Sequence, residues 1–157
     1  MAFTTGYLGD PQQVGAGERF GNNNTILSAT NFEDGLTVGV FAGYDSATDT
    51  IVNMTATAVV AGVVLRNAAG PVEDGATVDA TLYSSIEYMR QGLVTVRVAA
   101  GETPAKFGAV YADNATGEAT ATDTDVPTGA EFIEEIQDGV WLIHMAGNVN
   151  ITIQGGA

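Results

Sequence analysis

Residues 129–145 read GAEFIEEIQDGVWLIHM, two apolar-rich runs on either side of Asp138 and Gly139. An Asp-Gly pair between such runs predicts a β-hairpin with a type I′ turn, in which both central residues have positive φ. The second run, residues 140–145, is continuous and holds the only tryptophan of the chain. A short apolar run of this kind is typical of a strand covered on both faces. We therefore expect this hairpin to form the centre of a β-sheet core.

Other runs rich in β-branched residues predict further strands around this hairpin. They cover residues 25–30, 36–41, 51–57, 59–65, 93–98, 107–111 and 149–153. In the run at 36–41, Leu36, Val38 and Val40 alternate with other residues, which is the period of a strand. Residues 45–50 are polar and predict a loop, and residues 112–129 predict a mobile loop or an extended β excursion.

Residues 82–91 fit two conformations. Ser84 and Glu87 have the spacing of a capping box at a helix start. Ile86, Tyr88 and Arg90 alternate as in a strand, Gln91-Gly92 leads straight into the run at 93–98, and we favour a strand hairpin. With no other helical pattern, the fold class is all-β, a β-sandwich of jelly-roll type or an open barrel.

The first 24 residues predict an extended N-terminal arm that precedes a single β domain at 25–157. Five glycines and Pro11 fall within residues 1–25, and both residue types disfavour regular structure. Phe3, Tyr7 and Leu8 lie along the arm. These apolar side chains need a surface to cover them, either on their own domain or on a neighbouring subunit. We place a partner contact at Phe3, Tyr7, Leu8 and Pro11.

The charge balance restricts the kinds of partner. Five Lys and Arg stand against 19 Asp and Glu, a net charge of −14. Such a field repels phosphate backbones and anionic lipid, so we expect neither nucleic acid nor membrane as a partner. Cysteine is absent, which excludes a disulfide framework and thiolate metal sites. The N-terminus carries no secretory signal pattern, and no apolar run reaches the ~18 residues of a membrane span.

Residues that could carry chemistry are few. His144 is the only histidine, and as a base it would need a nucleophile that no Gly-x-Ser-x-Gly motif supplies. No phosphate-binding glycine motif is present. Glu131, Glu134 and Glu135 are neighbours on a hairpin and do not indicate the facing carboxylates of a glycosidase. We therefore expect no enzyme, no catalytic residue and no cofactor.

Two acidic loops leave calcium binding open. Asp123 and Asp125 in one loop, and Asp45 and Asp49 in another, could offer oxygen ligands, although neither has the EF-hand spacing. We favour solvated loops and predict no metal site. Three tyrosines could stack on a sugar, but packing in the β core is the favoured interpretation; they are Tyr83, Tyr88 and Tyr111.

The order of several segments carries a family resemblance. They are GVVLR (62–66), QGLVTV (91–96), AGE (100–102), FGAVY (107–111), TGE (116–118), GAEF (129–132) and GVWLI (139–143). Together with a Gly- and Pro-containing arm before residues 24–26, this order resembles the structural cement, or capsid decoration, proteins of tailed bacteriophages. The chain departs from them in longer segments at 45–58 and 113–127.

The resemblance implies a non-enzymatic protein that binds the outside of an assembled phage head and clamps neighbouring subunits of the major capsid protein. It implies synthesis in the bacterial cytoplasm and a place on the outer surface of the virion. Clamping of this kind gains from avidity in a closed oligomer. We expect a homotrimer at threefold sites, with a dimer at twofold sites as the alternative. A second reading of the same chain is a β-sandwich carbohydrate- or receptor-binding module of a virion or cell surface.

Overall fold

The fold is seen in a computed structural model that describes residues 15–66, 83 and 85–146. These residues form β-strands, turns and loops, and none of them is helical. Accordingly, the described part of the chain offers no helix of the length and apolarity needed to cross a membrane. The strands are β1 (Arg19–Thr30), β2 (Phe41–Asp45), β3 (Thr50–Asn53), β4 (Val59–Val64), β5 (Ser85–Arg97), β6 (Ala109–Ala112), β7 (Ala119–Thr120), β8 (Val126–Gln137) and β9 (Val140–Ala146). The all-β fold class is confirmed.

These strands pair antiparallel in one sheet, in the order β3-β2-β4-β5-β9-β8-β6-β7, with β1 paired to β5 outside this path. The strand β5 has three partners. It pairs with β1 over most of its length, with β4 at Tyr88 and Met89, and with β9 from Gln91 to Arg97. The β8–β9 hairpin lies in the interior of the sheet as predicted, and β5 is the strand with the most neighbours.

The two ends of the strand order approach one another. The backbone N–H of Phe41, the first residue of β2, donates to the carbonyl of Gly117, just before β7, at 2.8 Å. Beside it, Ala99 N–H donates to Ala119 O at 3.0 Å. Because β2 is the second strand from one end of this order and β7 is the last strand at the other end, these bonds require the sheet to curl. The result is an open, barrel-like shape, one of the two predicted architectures.

Two apolar clusters share the strand β4. Val60, Val63 and Leu65 belong to the larger cluster, with Phe41, Phe132 and Ile143 among its other members. Ala61 and Val64 belong to a second cluster with Leu36, Val38, Ile51 and Ile86. β4 is therefore buried on both faces, and its run of aliphatic residues reflects this.

The predicted coverage of residues 140–145 on both faces is wrong. In β9, Val140, Ile143 and Met145 are buried, whereas Trp141 and Leu142 are half-buried and His144 is exposed. One face thus packs on the larger cluster while the other is open to solvent at His144. The turn type also differs, because Gly139 has positive φ (74°) but Asp138 does not, so the turn is not type I′. The register shift between Glu135 and Gln137 accommodates it.

The strand predicted at residues 36–41 is also wrong, although its apolar pattern marks buried residues. Leu36, Val38 and Val40 are all at most 8% exposed, but only Phe41 belongs to a strand. Gly39 turns the backbone at φ 81° where it contacts Ala16. The segment 36–40 therefore covers the sheet as a loop.

Residues 85–91 form a strand, which confirms the favoured conformation of 82–91 for its described part. These residues do not form a hairpin with the run at 93–98, since β5 continues through Gly92 to Arg97 as one strand. The paired strand β1 shifts register beside this point, between Phe20 and Thr25.

Most other expectations for the described residues are confirmed. Strands occur within 25–30, 51–57, 59–65, 93–98 and 107–111, and residues 46–49 form a turn. The excursion at 112–129 includes the short strand β7 and the start of β8. The sheet begins earlier than expected, at Arg19, so the last residues of the predicted arm belong to β1. The predicted strand at 149–153 lies outside the described residues, and the division into an arm and one β domain stays a prediction.

Candidate interaction surface

The described chain begins at a fixed point on the sheet. Thr95, fully buried near the C-terminal end of β5, donates its hydroxyl to Gly15 O at 2.8 Å and accepts from Glu18 N–H at 2.9 Å. The backbones of Gly17 and Glu18 also bond to the backbone of Thr95, through Gly17 N to Thr95 O and Thr95 N to Glu18 O. One threonine thus connects the base of the predicted arm to the central strand.

An ion pair holds the same point from the other side. Arg66 Nη1 lies 2.9 Å from Glu18 Oε1, and the Arg66 backbone N–H donates to Gly17 O at 3.0 Å. Gly17 has φ 85°, and a Cβ there would meet a side-chain carbon of Val38 at 2.6 Å. Only glycine fits this close approach. The base of the arm is therefore fixed by hydrogen bonds, charge and shape together.

The predicted partner contact lies beyond this base. Phe3, Tyr7, Leu8 and Pro11 lie outside the described residues, so their role as a contact stays a prediction. The described chain itself begins beside Thr95 on β5 and Arg66 after β4.

The candidate catalytic residues are spread along the β8–β9 strand pair. His144 is exposed on β9 and stands opposite Glu131 of β8. Glu134 and Glu135 are also exposed and stand opposite Leu142 and Trp141. These groups are exposed at separate positions along a strand pair, and this arrangement gives no enclosed cleft that would bring two carboxylates to either side of a substrate.

The acidic loops use their carboxylates for their own turns. Asp45 accepts from Ala47 N–H at 2.9 Å and from the Thr48 hydroxyl at 3.0 Å. Asp125 accepts from the Thr120 hydroxyl at 2.7 Å, while Asp123 is exposed. Across residues 15–66, 83 and 85–146, no three His, Cys, Asp or Glu side chains lie together as a metal site requires.

Two pKa values are shifted by hydrogen bonds in these loops. Asp113 accepts from the backbone N–H groups of Thr116 and Ala115 and from the Thr116 hydroxyl. These bonds favour the charged carboxylate, chiefly that from the Thr116 backbone, and lower the pKa of Asp113. The Tyr44 hydroxyl donates to Asp49 Oδ1 at 2.8 Å, which stabilises the neutral phenol and raises the pKa of Tyr44. Both shifts belong to local turn structure.

Exposed aromatic side chains are the feature that sequence reasoning missed. Tyr83, expected in the core, is 72% exposed and contacts the exposed Phe32 edge-to-face at 6.3 Å between ring centroids. Phe107, expected in a strand, is 64% exposed at φ 66° in the turn before β6. Lys106 Nζ lies 5.3 Å from the Phe107 ring centroid. The sequence holds one signal for an exposed site here, because Lys106, the only lysine of the chain, directly precedes Phe107.

A surface cavity of about 470 Å³ opens at the other end of the strand order, between β2, β3 and β4. Its wall is apolar at Val52, Ala58 and Val59 and acidic at Glu33 and Asp45. Val59 is 40% exposed. The cavity thus combines exposed aliphatic surface with two carboxylates.

Comparisons with known proteins relate the whole fold to a phage capsid. A chain in the solved structure "The capsid of Myoviridae Phage XM1" is similar in fold, with a TM-score of 0.74 and 26% identity over 93% of this chain and 98% of that chain. Fold and similarity together define a capsid-associated protein of a tailed phage.

The family model for the XM1 gp53 minor capsid protein matches residues 3–147, and the chain belongs to this family. Curated proteins offer no match. The resemblance to phage capsid-associated proteins is confirmed, and so is the location of the protein in the virion.

Proposed function

We propose that this protein is a capsid decoration protein, which binds the outside of the phage head and stabilises contacts between subunits of the major capsid protein. The observation that carries the proposal is the family match over residues 3–147, together with similarity to a chain of the XM1 capsid. The protein acts by binding and catalyses no reaction. Its candidate catalytic groups, spread along the β8–β9 strand pair, support this part of the proposal.

The binding partners in this proposal are the major capsid protein and further copies of the chain. A homotrimer at threefold sites is the leading arrangement, and a dimer at twofold sites is the alternative. The arm residues Phe3, Tyr7, Leu8 and Pro11 contact the shell or a neighbouring subunit. The fixed base at Thr95 supports this, because an arm tied at one end loses less conformational freedom when it docks.

The test uses shells prepared with and without the protein. Decorated shells should melt and release DNA at a higher temperature than undecorated shells, and adding purified protein back should restore the difference. An unrelated acidic protein of similar charge serves as the control for non-specific effects. Equal melting temperatures of bare and saturated shells would contradict the proposal.

The exposed Phe32–Tyr83 pair favours a second candidate, a carbohydrate- or receptor-binding module, because aromatic faces on a surface can stack on a sugar. A glycan array with the wild-type protein and the Tyr83→Ala variant tests it. Binding that disappears in the variant supports this candidate, and a lack of any glycan signal removes it.

A further inference from the structure

The turn before β6 presents Phe107 in a conformation that costs energy. A bulky residue at φ 66° occupies the left-handed region, which side chains other than glycine rarely adopt. The ring is nevertheless 64% exposed, so burial on its own domain does little to offset the cost. Strain of this kind is typical of sites where a side chain is held ready for a partner.

Hydrogen bonds fix this turn rigidly to the sheet. Phe107 N–H donates to Phe132 O at 2.6 Å, and Phe132 N–H donates to Gly108 O at 2.9 Å. Gly108 N–H closes the turn on Ala105 O at 2.9 Å. Phe132 itself is fully buried in the larger cluster. The exposed ring is therefore carried by a rigid turn on a core strand, which reduces the entropy lost on binding.

The charge beside the ring indicates the partner. Lys106 is the only lysine in a chain of net charge −14 and lies over the Phe107 ring. Its ammonium group is exposed and fits a carboxylate at the rim of an apolar site. A second copy of this acidic chain offers such a site in the cavity lined by Val52, Ala58 and Val59, with Glu33 and Asp45 at its wall.

We infer that Phe107 and Lys106 of one copy dock into the β2–β3–β4 cavity of a second copy, Phe107 against Ala58 and Val59 and Lys106 toward Glu33 and Asp45. The turn and the cavity are different surfaces, so the contact is head-to-tail, and three such contacts can close a ring. The inference rests on the proposed self-association and does not depend on shell binding.

Substitutions at the turn test the contact by native mass at several concentrations. Phe107→Ala should weaken self-association by about tenfold or more, the usual effect of removing an aromatic anchor. Phe107→Gly should weaken it equally while the thermal unfolding temperature stays the same or rises, because glycine removes the left-handed strain. Tyr83→Ala is the matched control, another exposed aromatic with positive φ (63°), and should associate as the wild type does. Equal association of the two Phe107 variants and the wild type would overturn the inference.

Mixing two defective variants tests the head-to-tail geometry. Val59→Arg should block the cavity and repel Lys106. Each variant alone, Phe107→Ala or Val59→Arg, should be mainly monomeric, whereas the mixture should give a dimer, because one partner retains the turn and the other retains the cavity. A mixture that remains monomeric contradicts the geometry.

Engineered cysteines test the contact both in solution and on shells, because the chain has no cysteine of its own. Lys106→Cys and Val59→Cys in one chain should give disulfide-linked oligomers on oxidation, and each single variant should give few. A disulfide needs Cα atoms within about 7 Å, so it reports direct contact.

If the protein assembles and binds shells without this crosslink, the inference fails and the proposed function stands. If it is monomeric both free and on shells, self-association fails with it. If the wild type does not bind shells, the proposed function fails independently.

Discussion

Thr95 is the residue through which the start of the described chain and the centre of the sheet support one another. Replacing it with valine keeps the shape but removes the hydroxyl that bonds to Gly15 and Glu18. The part-buried N–H of Glu18 then loses an acceptor, and we expect a loss of about 1–3 kcal/mol in the free energy of unfolding. Urea unfolding measures it. Thr95→Ser retains the hydroxyl and should cost less than about 1 kcal/mol; equal losses for the two variants would show that the bonds contribute little.

Asp113 gives stability a defined dependence on pH. Its pKa is lowered from an ordinary 3.8 by the bonds from Thr116 and Ala115. The stability that the Asp113 carboxylate contributes is therefore fully present above pH 3.8, and it is lost as the pH falls through the lower pKa of this group in the folded protein. Comparing urea midpoints of wild type and Asp113→Asn from about pH 6 to pH 2, we expect the wild type to be more stable at the upper end and the two to converge at the lower end. A constant difference across this range would contradict the assignment.

At the scale of elements, the close approach of β4 to β5 depends on a glycine. A Cβ on Gly62 would meet the carbonyl oxygen of Met89 at 2.3 Å, and backbone on a central strand cannot easily move away. We expect Gly62→Ala to destabilise the fold by about 2–4 kcal/mol, measured by thermal unfolding. Gly101→Ala is the control, since a Cβ there meets open space. Only the left-handed backbone conformation should destabilise this variant, by about 1 kcal/mol. Equal losses at both positions would argue against the close contact.

The strands whose side chains follow a simple pattern could be predicted from the sequence. The β-branched run in β5 and the hairpin at Asp138-Gly139 are local signals, and both appear in the sheet. Residues 36–40 could not be predicted in the same way, because their burial follows an alternating pattern while Gly39 turns the chain against Ala16, which is distant in sequence. Continuous apolar runs led to a wrong prediction of burial in β9 for a related reason. Both β4 and β9 have such a run, but β4 is buried on both faces and β9 on one. Only the elements packed against each strand distinguish the two cases.

The candidate interaction surface was harder to predict than the fold. The sequence marked the arm through Phe3, Tyr7 and Leu8, but exposure of Phe107 depends on a turn held by Phe132, 25 positions further along. Periodicity placed Phe107 in a strand because its neighbours alternate. An apolar side chain that is exposed to solvent leaves no pattern in the local sequence, and only the three-dimensional arrangement reveals its exposure.

For the whole molecule, we expect the arm to contribute to shell binding and the β domain to determine folding stability. Deleting residues 1–12 should weaken binding to shells and leave the unfolding temperature unchanged, because the bonds at Gly15, Gly17 and Glu18 are retained. Cosedimentation with shells and thermal unfolding measure the two effects. Thr95→Val with the arm intact is a useful comparison, since it should lower the unfolding temperature instead. Undiminished shell binding by the truncated protein would exclude the arm as a contact.

The ladder between β1 and β5 has a mechanical consequence. Register partners run from Arg19 with Val94 to Thr30 with Ser85, and the arm joins this ladder at its Val94 end. Tension on a docked arm, as when a filled head swells under internal pressure, would pull β1 along its own axis. Hydrogen bonds perpendicular to such a pull are loaded in shear and share the force, whereas a strand peeled sideways breaks them one at a time. If the arm docks on the shell as proposed, a pull along β1 would load the attachment at Gly15–Glu18 in this stronger direction.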